Sequence, residues 1–452
     1  MAHLVHDPTT VSLLFLAFAL ALAFEAVNGC HDTSNAVATI IYTRSLKAPV
    51  AVVWSGLWNF LGVLLGGTAV AFTFVHLLPL SLLATLDTRM KVALILSPLL
   101  AALVWNVATW LHGLPVSSSH SLVGALLGVG LADIWFVDRL HGGVLDWRAI
   151  GNVGLALLIS PLLGFLLAFV LYRIVARLST DQRLHDLRPG QAPPLWLRAI
   201  LTVTCAGVSF THGSNDGQKT IGLFMLILMS LAPAIFAVDA RLGAPEFGRA
   251  AEAAGRLEAH LRQRAGVDAG SLEAARRVSD TLSGAGRIEE VGMADRARLR
   301  ADILTVAGAA TAGSGADRKQ VGEWARALLR VTEHVPQWVM VMSAICLSVG
   351  TMVGWKRIVT TVGEKIGKTD LTPAQGGSAE AVAMATISLA DFGGMPVSTT
   401  HVLSSGVAGT MIARRSGVQA ATVRSIALAW VFTLPTTMLL AALFFYVLTR
   451  FL

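Results

Sequence analysis

Long apolar runs broken by short polar connectors dominate the chain. Residues 11–27, 50–72, 150–175, 339–353 and 426–448 approach or exceed the roughly 20 residues a helix needs to cross hydrocarbon. With shorter apolar stretches they predict an all-α polytopic membrane protein of about ten to twelve segments. The first run resembles a secretory signal, but the ten residues before it hold no Lys or Arg, and Glu25 and Asn28 interrupt its end. It is expected to remain as a first helix.

The pattern changes at 239–335, which holds 14 of the 28 acidic residues and is rich in Arg. Amphipathic helical spacing at 250–264 and 271–279 predicts a small, solvent-exposed helical insert on the cytoplasmic side. The insert has neither a phosphate loop nor a metal-ligand cluster, so a regulatory or merely tolerated insertion fits it better than catalysis. The expected organisation is a first membrane repeat at 1–180, a connecting loop at 181–195, the opening of a second repeat at 196–238, the insert, and the rest of the second repeat at 336–452.

Two polar motifs recur on either side of the insert. Gly29-Cys-His-Asp-Thr-Ser-Asn-Ala36 answers Gly213-Ser-Asn-Asp-Gly-Gln-Lys-Thr220 at an offset of 184, and Pro115-Val-Ser-Ser-Ser-His120 answers Pro396-Val-Ser-Thr-Thr-His401 at an offset of 281. The offsets differ by 97, the length of 239–335. Removing the insert restores equal spacing. A duplicated membrane chain with Gly-rich polar interruptions at matching positions reads as an inverted-repeat transporter with broken or re-entrant helices, its site where the breaks converge near the midplane.

Polar groups within membrane helices are costly, so Asn28 to Asn35 and their counterparts need a cavity. Gly29 and Gly213 are read as helix breaks that free backbone groups to line it. Asp32 and Asp216 then place carboxylates at the two breaks; helix capping is the competing use. In the other motif pair the proline suits the first turn of a helix, where its missing N–H costs nothing. The hydroxyls that follow lie among free N–H groups at the positive end of the helix dipole. Ser117, Ser118, Ser119, Ser398, Thr399 and Thr400 are therefore the candidates to hold a tetrahedral oxyanion, with Asn35 and Asn215 beside them. Small hydroxyl residues also let membrane helices pack closely.

His120 and His401 follow the hydroxyls and either orient the loop or exchange protons. Two carboxylates and a dianion repel in a low-dielectric site. Asp32 and Asp216 are accordingly assigned to a coupling proton or cation, or to a divalent metal accompanying the anion. Lys219 stands where the first half has Asn35, as a tethered cation for Asp216 or as a side chain snorkelling to the interface. Glu25, Glu380 and Asp391 have no acidic counterpart in the opposite half and are secondary proton-path candidates, with packing or interface placement as the equal alternative for each.

Composition narrows the classes further. A content of 54% hydrophobic and 14% charged residues, with mean hydropathy +0.65, lies outside the range of soluble domains. The net charge of +7 comes from Lys and Arg in short connectors, which suits membrane topology rather than nucleic-acid binding. Cys30, Cys205 and Cys346 lie in or beside apolar runs and form no CxxC pair. Ser, His and Asp are all present for an intramembrane hydrolase, but duplicated hydroxyl runs suit anion binding better than one activated nucleophile.

Asn28-Gly-Cys-His-Asp-Thr-Ser-Asn-Ala-Val-Ala-Thr, Phe210-Thr-His-Gly-Ser-Asn-Asp-Gly-Gln-Lys and Gly394-Met-Pro-Val-Ser-Thr-Thr-His together closely resemble the PiT family of inorganic phosphate transporters, its bacterial low-affinity members above all. The resemblance covers essentially the whole chain. It implies an inverted-repeat helical protein of the bacterial inner membrane that takes up phosphate, often as a neutral complex with Mg2+ or another divalent metal. Coupling is to protons in bacterial relatives and to sodium elsewhere. By position, Asp32 and Asn35 match the first signature, Asp216 the second, and Ser118, Ser119, Thr399 and Thr400 the hydroxyl motifs. His31 replaces the usual Asn before the first Asp, and Gln218-Lys219 replaces Ala-Asn. These departures favour protons over sodium. Sodium-coupled phosphate symport and a sulfate permease on the same scaffold are the alternative readings. No enzymatic activity, resident cofactor or nucleic-acid partner is implied; the partners are phosphate and the lipid bilayer, and a homo-oligomer is compatible with both.

Overall fold

The computed structural model describes residues 8–76, 86–137, 147–186, 192–311 and 317–451. Among these, 8–76, 87–224 and 337–451 form one compact unit and 225–336 another.

The first unit is a helical membrane body. Its helices of eight residues or more are α1 (Pro8–Tyr42), α2 (Ala48–Leu65), α3 (Ala69–His76), α4 (Thr88–Leu111), α5 (Ser118–Ala132), α6 (Trp147–Leu178), α7 (Leu195–Leu231, whose last turns belong to the second unit), and, numbered past the second unit's α8–α11, α12 (Gln337–Val353), α13 (Pro373–Phe392), α14 (Thr399–Arg414) and α15 (Ala420–Phe451). Six of the described helices are long and apolar enough to cross a bilayer, or seven if the pair 337–353 and 356–365, bent by 55°, counts as one span. The expected ten to twelve segments counted shorter apolar stretches as well; α14, with 16 residues, is below the length of a span by this measure. α6 bares Leu155, Leu158, Leu162, Leu166 and Val170. Such a stripe would be a liability in water and is ordinary against lipid.

The two halves pack crosswise. The hairpin α4–α5 leans on α15, the last helix of the second half, and the hairpin α13–α14 leans on α6, the last helix of the first. α1 packs on α12 and, in matching fashion, α7 on α2. A Cβ built at Gly29 would meet the Leu347 carbonyl oxygen at 2.3 Å, and one at Gly350 the Ala26 oxygen at 2.0 Å. On the other side, a Cβ built at Gly213 would meet the Asn59 oxygen at 2.2 Å and one at Gly62 the Phe210 oxygen at 2.1 Å. These contacts correct the sequence reading of Gly29 and Gly213 as breaks. Both α1 and α7 run unbroken through their polar motifs, and the glycines serve to let helix backbones touch.

The interruptions lie instead before α5 and α14. Pro115 and Pro396 are not in the first turn, as their spacing suggested; each stands two residues before an N-cap. Ser117 and Ser398 take the caps, in extended backbone, and accept from the N–H of His120 and His401 at 3.3 and 3.1 Å. The side-chain cap is what fixes the helix start, so the proline ring falls in the preceding extended segment.

The second unit contains α8 (Ala244–Gln263), α9 (Ala269–Gly284), α10 (Met293–Thr311) and α11 (Arg318–Leu329). Phe247, Leu257, Leu261, Val278, Leu282, Ile303, Val306 and Leu328 form its own core. Asp268 caps α9, and bonds from the Ser271 side chain and N–H hold its carboxyl below the usual range. Arg277 ties α9 to α10 through paired bonds of 2.8 and 2.7 Å to Asp302. Arg300 donates to the Thr332 and Ala237 carbonyls at 2.5 and 3.4 Å, and burial pushes its guanidinium down to about 10.

Candidate functional site

α1 and α7 each bring a carboxylate to the middle of the membrane unit, and the starts of α5 and α14 bring the hydroxyls. Each carboxylate meets the hydroxyl run of the opposite half. Asp32 Oδ1 accepts from Thr399 Oγ1 at 3.4 Å and from Thr400 Oγ1 at shorter range. Asp216 Oδ2 accepts from Ser118 Oγ at 3.5 Å. Ser119 Oγ donates to the Val397 carbonyl at 3.2 Å, which joins the two helix starts directly. Asp32, Asp216, Ser118, Ser119, Thr399 and Thr400 are all buried. Ser117 and Ser398 stand behind this layer as caps.

The other predicted residues separate by distance from this centre. Asn35 belongs to it, donating to Asp32 Oδ1 at 2.6 Å. Lys219 also belongs: it is 1% exposed, its Nζ lies 2.7 Å from Asp216 Oδ1, and it donates to the Val397 carbonyl at 3.4 Å. It therefore does not snorkel to an interface. Asn215 points away and donates to the Met395 carbonyl at 3.3 Å. His120 and His401 lie tilted against each other with ring centroids 4.6 Å apart, and the His401 ring centroid lies 4.0 Å from that of Trp430. Glu25 sits in a separate pocket described below. Glu380 accepts from Thr204, and Asp391 from Ser214 and Gln218, so neither shares a hydrogen bond with the central carboxylates. His31, the unusual residue before the first Asp, contacts the Asn106 carbonyl at 2.7 Å.

His212 is the residue that sequence reasoning missed. Its Nε2 lies between the two carboxylates, 3.3 Å from Asp32 Oδ2 and 3.6 Å from Asp216 Oδ2. The signal was available, since His212 and Asp216 are spaced i, i+4 on one helix, a separation that puts two side chains on the same face.

A chain of hydrogen bonds fixes the tautomer of this ring. Thr351 Oγ1 gives its hydrogen to the Leu347 carbonyl at 2.9 Å and so accepts from Asn59 Nδ2 at 3.0 Å. That turns Asn59 Oδ1 toward His212 Nδ1, 2.9 Å away. Nδ1 therefore carries the hydrogen, and Nε2 offers either a proton or a lone pair to the space between the carboxylates. Asp32, His212 and Asp216 each offer one ligand atom, all within 4.8 Å of one another. Two carboxylates and an imidazole are a donor set that takes a divalent cation. Hydroxyls and the first-turn N–H groups of α5 and α14 supply the complementary anion-binding elements.

Comparison with known proteins gives the family of the chain. The phosphate transporter family (PHO4) matches residues 28–441. The low-affinity inorganic phosphate transporter PitA of Escherichia coli (strain K12) is 39% identical over 492 residues, covering 99% of this chain and 98% of the relative. PitB of the same strain is 38% identical over 96% of each chain, and a probable low-affinity inorganic phosphate transporter of Bacillus subtilis is 28% identical over 96% and 97%. A solved sodium-dependent phosphate transporter shares the fold with a TM-score of 0.57 at 20% identity, covering 98% of this chain and 100% of the other. Its apolar helices and its bacterial relatives make the protein a multi-pass inner-membrane protein. With a match that begins at the first polar motif and ends in the last helix, the chain belongs to the phosphate transporter family.

Proposed function

We propose that the protein takes up inorganic phosphate by proton-coupled symport, carrying it together with a divalent cation. The observation that supports this most is the imidazole of His212 set between Asp32 and Asp216. Bound alone, phosphate would be repelled by the two carboxylates; with a metal between Asp32, His212 and Asp216, the repulsion becomes attraction. Ser118, Ser119, Thr399 and Thr400 would turn from the carboxylates to the phosphate oxygens, as hydroxyls both donate and accept. Nε2 holds a proton or a metal, never both, so metal–phosphate loading and protonation compete at one atom. The Lys219–Asp216 pair gives the second half a fixed cation that the first half lacks, which argues against two equivalent sodium sites. Alternating access then follows from motion of the two halves around this centre.

Uptake of labelled phosphate into proteoliposomes, with Mg2+, Na+, sulfate and pH varied independently, tests the reading. Uptake that needs a divalent metal, rises with an inward proton gradient and ignores Na+ supports it. Dependence on Na+ alone would establish the sodium mode, and uptake of sulfate in place of phosphate would overturn the substrate.

A further inference from the structure

The pocket of Glu25 lies one layer along the helices from the central carboxylates, between α1, α7 and α12. The side chain is fully buried. Its Oε2 accepts from Thr220 Oγ1 at 2.5 Å and faces Asn28 Nδ2 at 3.5 Å, and its Oε1 accepts from Ser343 Oγ at 3.1 Å. Among the described residues no cationic side chain pairs with it. The buried Asn28 Oδ1 has no hydrogen-bond partner.

The duplication provides an internal control. Residues 55 and 343 stand 288 apart, as do the packing glycines 62 and 350, while 25 and 209 stand 184 apart, as do Asp32 and Asp216. The counterpart of the Glu25–Ser343 contact is therefore Ser209–Ser55, and those two hydroxyls do bond, at 2.9 Å. The same crossing of helices is built in the other half without a carboxyl. Packing thus does not require Glu25. Its neighbours are asymmetric in the same way: Asn28 stands where the second half has His212, and Thr220 stands where the first half has Ala36.

We propose that Glu25 is a proton-carrying carboxyl of the transport cycle, separate from the metal–phosphate centre. This rests on the proton-coupled reading above. A buried carboxyl among hydroxyls and an amide suits reversible protonation, because each partner can reorient: Thr220 and Ser343 donate to the ionised form, and the unpartnered Asn28 Oδ1 accepts from the protonated one. Asp216 is paired with Lys219 at 2.7 Å, and Asp32 is engaged by Asn35, two threonines and His212. The titratable groups that act on Glu25 are Asp216 and His212 on α7 and Cys346 on α12, and Asp216 in turn pairs with Lys219. Ionised Glu25 adds charge near Asp216, so loading a metal at the centre and releasing a proton from Glu25 are linked through the field between them.

The test compares wild type, Glu25→Gln and Glu25→Ser in proteoliposomes, reading two activities with Mg2+ present: phosphate counterflow without a pH gradient, and net accumulation driven by an inward gradient of one pH unit without membrane potential. A gradient of that size supports about tenfold accumulation per coupled proton. Both variants are expected to keep counterflow, with accumulation falling by that factor of about ten relative to wild type and one proton fewer crossing per phosphate. Glu25→Ser copies the Ser209–Ser55 pair and so guards against a packing defect. Loss of counterflow by both variants would overturn the proposal, as would accumulation and proton count equal to wild type. A wild-type protein indifferent to the gradient would instead refute proton coupling itself.

Discussion

Asn59 offers the most direct test of the central histidine, because it touches His212 without touching a carboxylate or a hydroxyl of the anion site. Asn59→Ala removes two buried hydrogen bonds, from His212 Nδ1 at 2.9 Å and to Thr351 Oγ1 at 3.0 Å. At about 0.5–1.5 kcal/mol net for each bond, the fold should lose about 1–3 kcal/mol. That is tolerable for a protein of this size. The effect on transport should be larger than stability alone implies, since the imidazole then loses both its orientation and its tautomer. Loss of a group that orients a metal-binding histidine typically costs about 10–100-fold in affinity or activity. Thr351→Val should do less, because Asn59 remains and only its amide orientation is freed. The assay is the initial rate of labelled phosphate uptake across pH, with Mg2+ saturating and limiting, normalised to folded protein by thermal melting. Asn59→Ala with wild-type rate, metal dependence and pH profile would refute the reasoning, and so would Thr351→Val proving the more damaging.

Three further outcomes follow from the packing and charges. Lys219→Met strands a buried Asp216 carboxylate and should cost about 3–5 kcal/mol, read as a fall in melting temperature; Lys219→Met combined with Asp216→Asn should recover most of it, although transport stays lost. Gly213→Val forces a side chain against the Asn59 carbonyl, 2.2 Å from the built Cβ, and should cost about 1–3 kcal/mol by overpacking, visible in melting and in reduced folded yield. Asp268 has a folded pKa below its unfolded value, so its support of α9 is full above the unfolded pKa and is lost as pH falls through the folded one. Amide protection in the first turn of α9 should therefore drop in acid, and the drop should vanish in Asp268→Asn.

The sequence carried the chemistry further than the geometry. Duplicated carboxylates and hydroxyls were legible because a polar cluster inside an apolar run has few other uses, and helix N-termini after a proline were legible to within three residues. The glycines misled. A glycine in a membrane helix signals a break or a close approach with the same letter, and only the Leu347 and Asn59 carbonyls show which use applies. Offsets of 184 and 281 reveal equivalence between positions, not proximity. The crosswise pairing of Asp32 with Thr399 and Thr400, and of Asp216 with Ser118, therefore had no trace in the repeats. His212 escaped because its counterpart under the offset is Asn28, so a search for matched motifs passes over it. The differences between the halves hold as much of the chemistry as their likeness does.

The crosswise build also bears on how such a protein can arise. Neither half holds both ends of these contacts: each supplies hydroxyls to a carboxylate that the other owns, so a chain of half this length would need a second copy of itself to build them. Fusion turned that encounter between molecules into a property of one chain, with the partner always at hand. It also removed a constraint. Two identical chains carry the same residue at both equivalent places, whereas a fused chain can keep Glu25 opposite Ser209 and Asn28 opposite His212. The separation of proton and metal proposed for Glu25 and His212 needs that freedom for the two halves to differ.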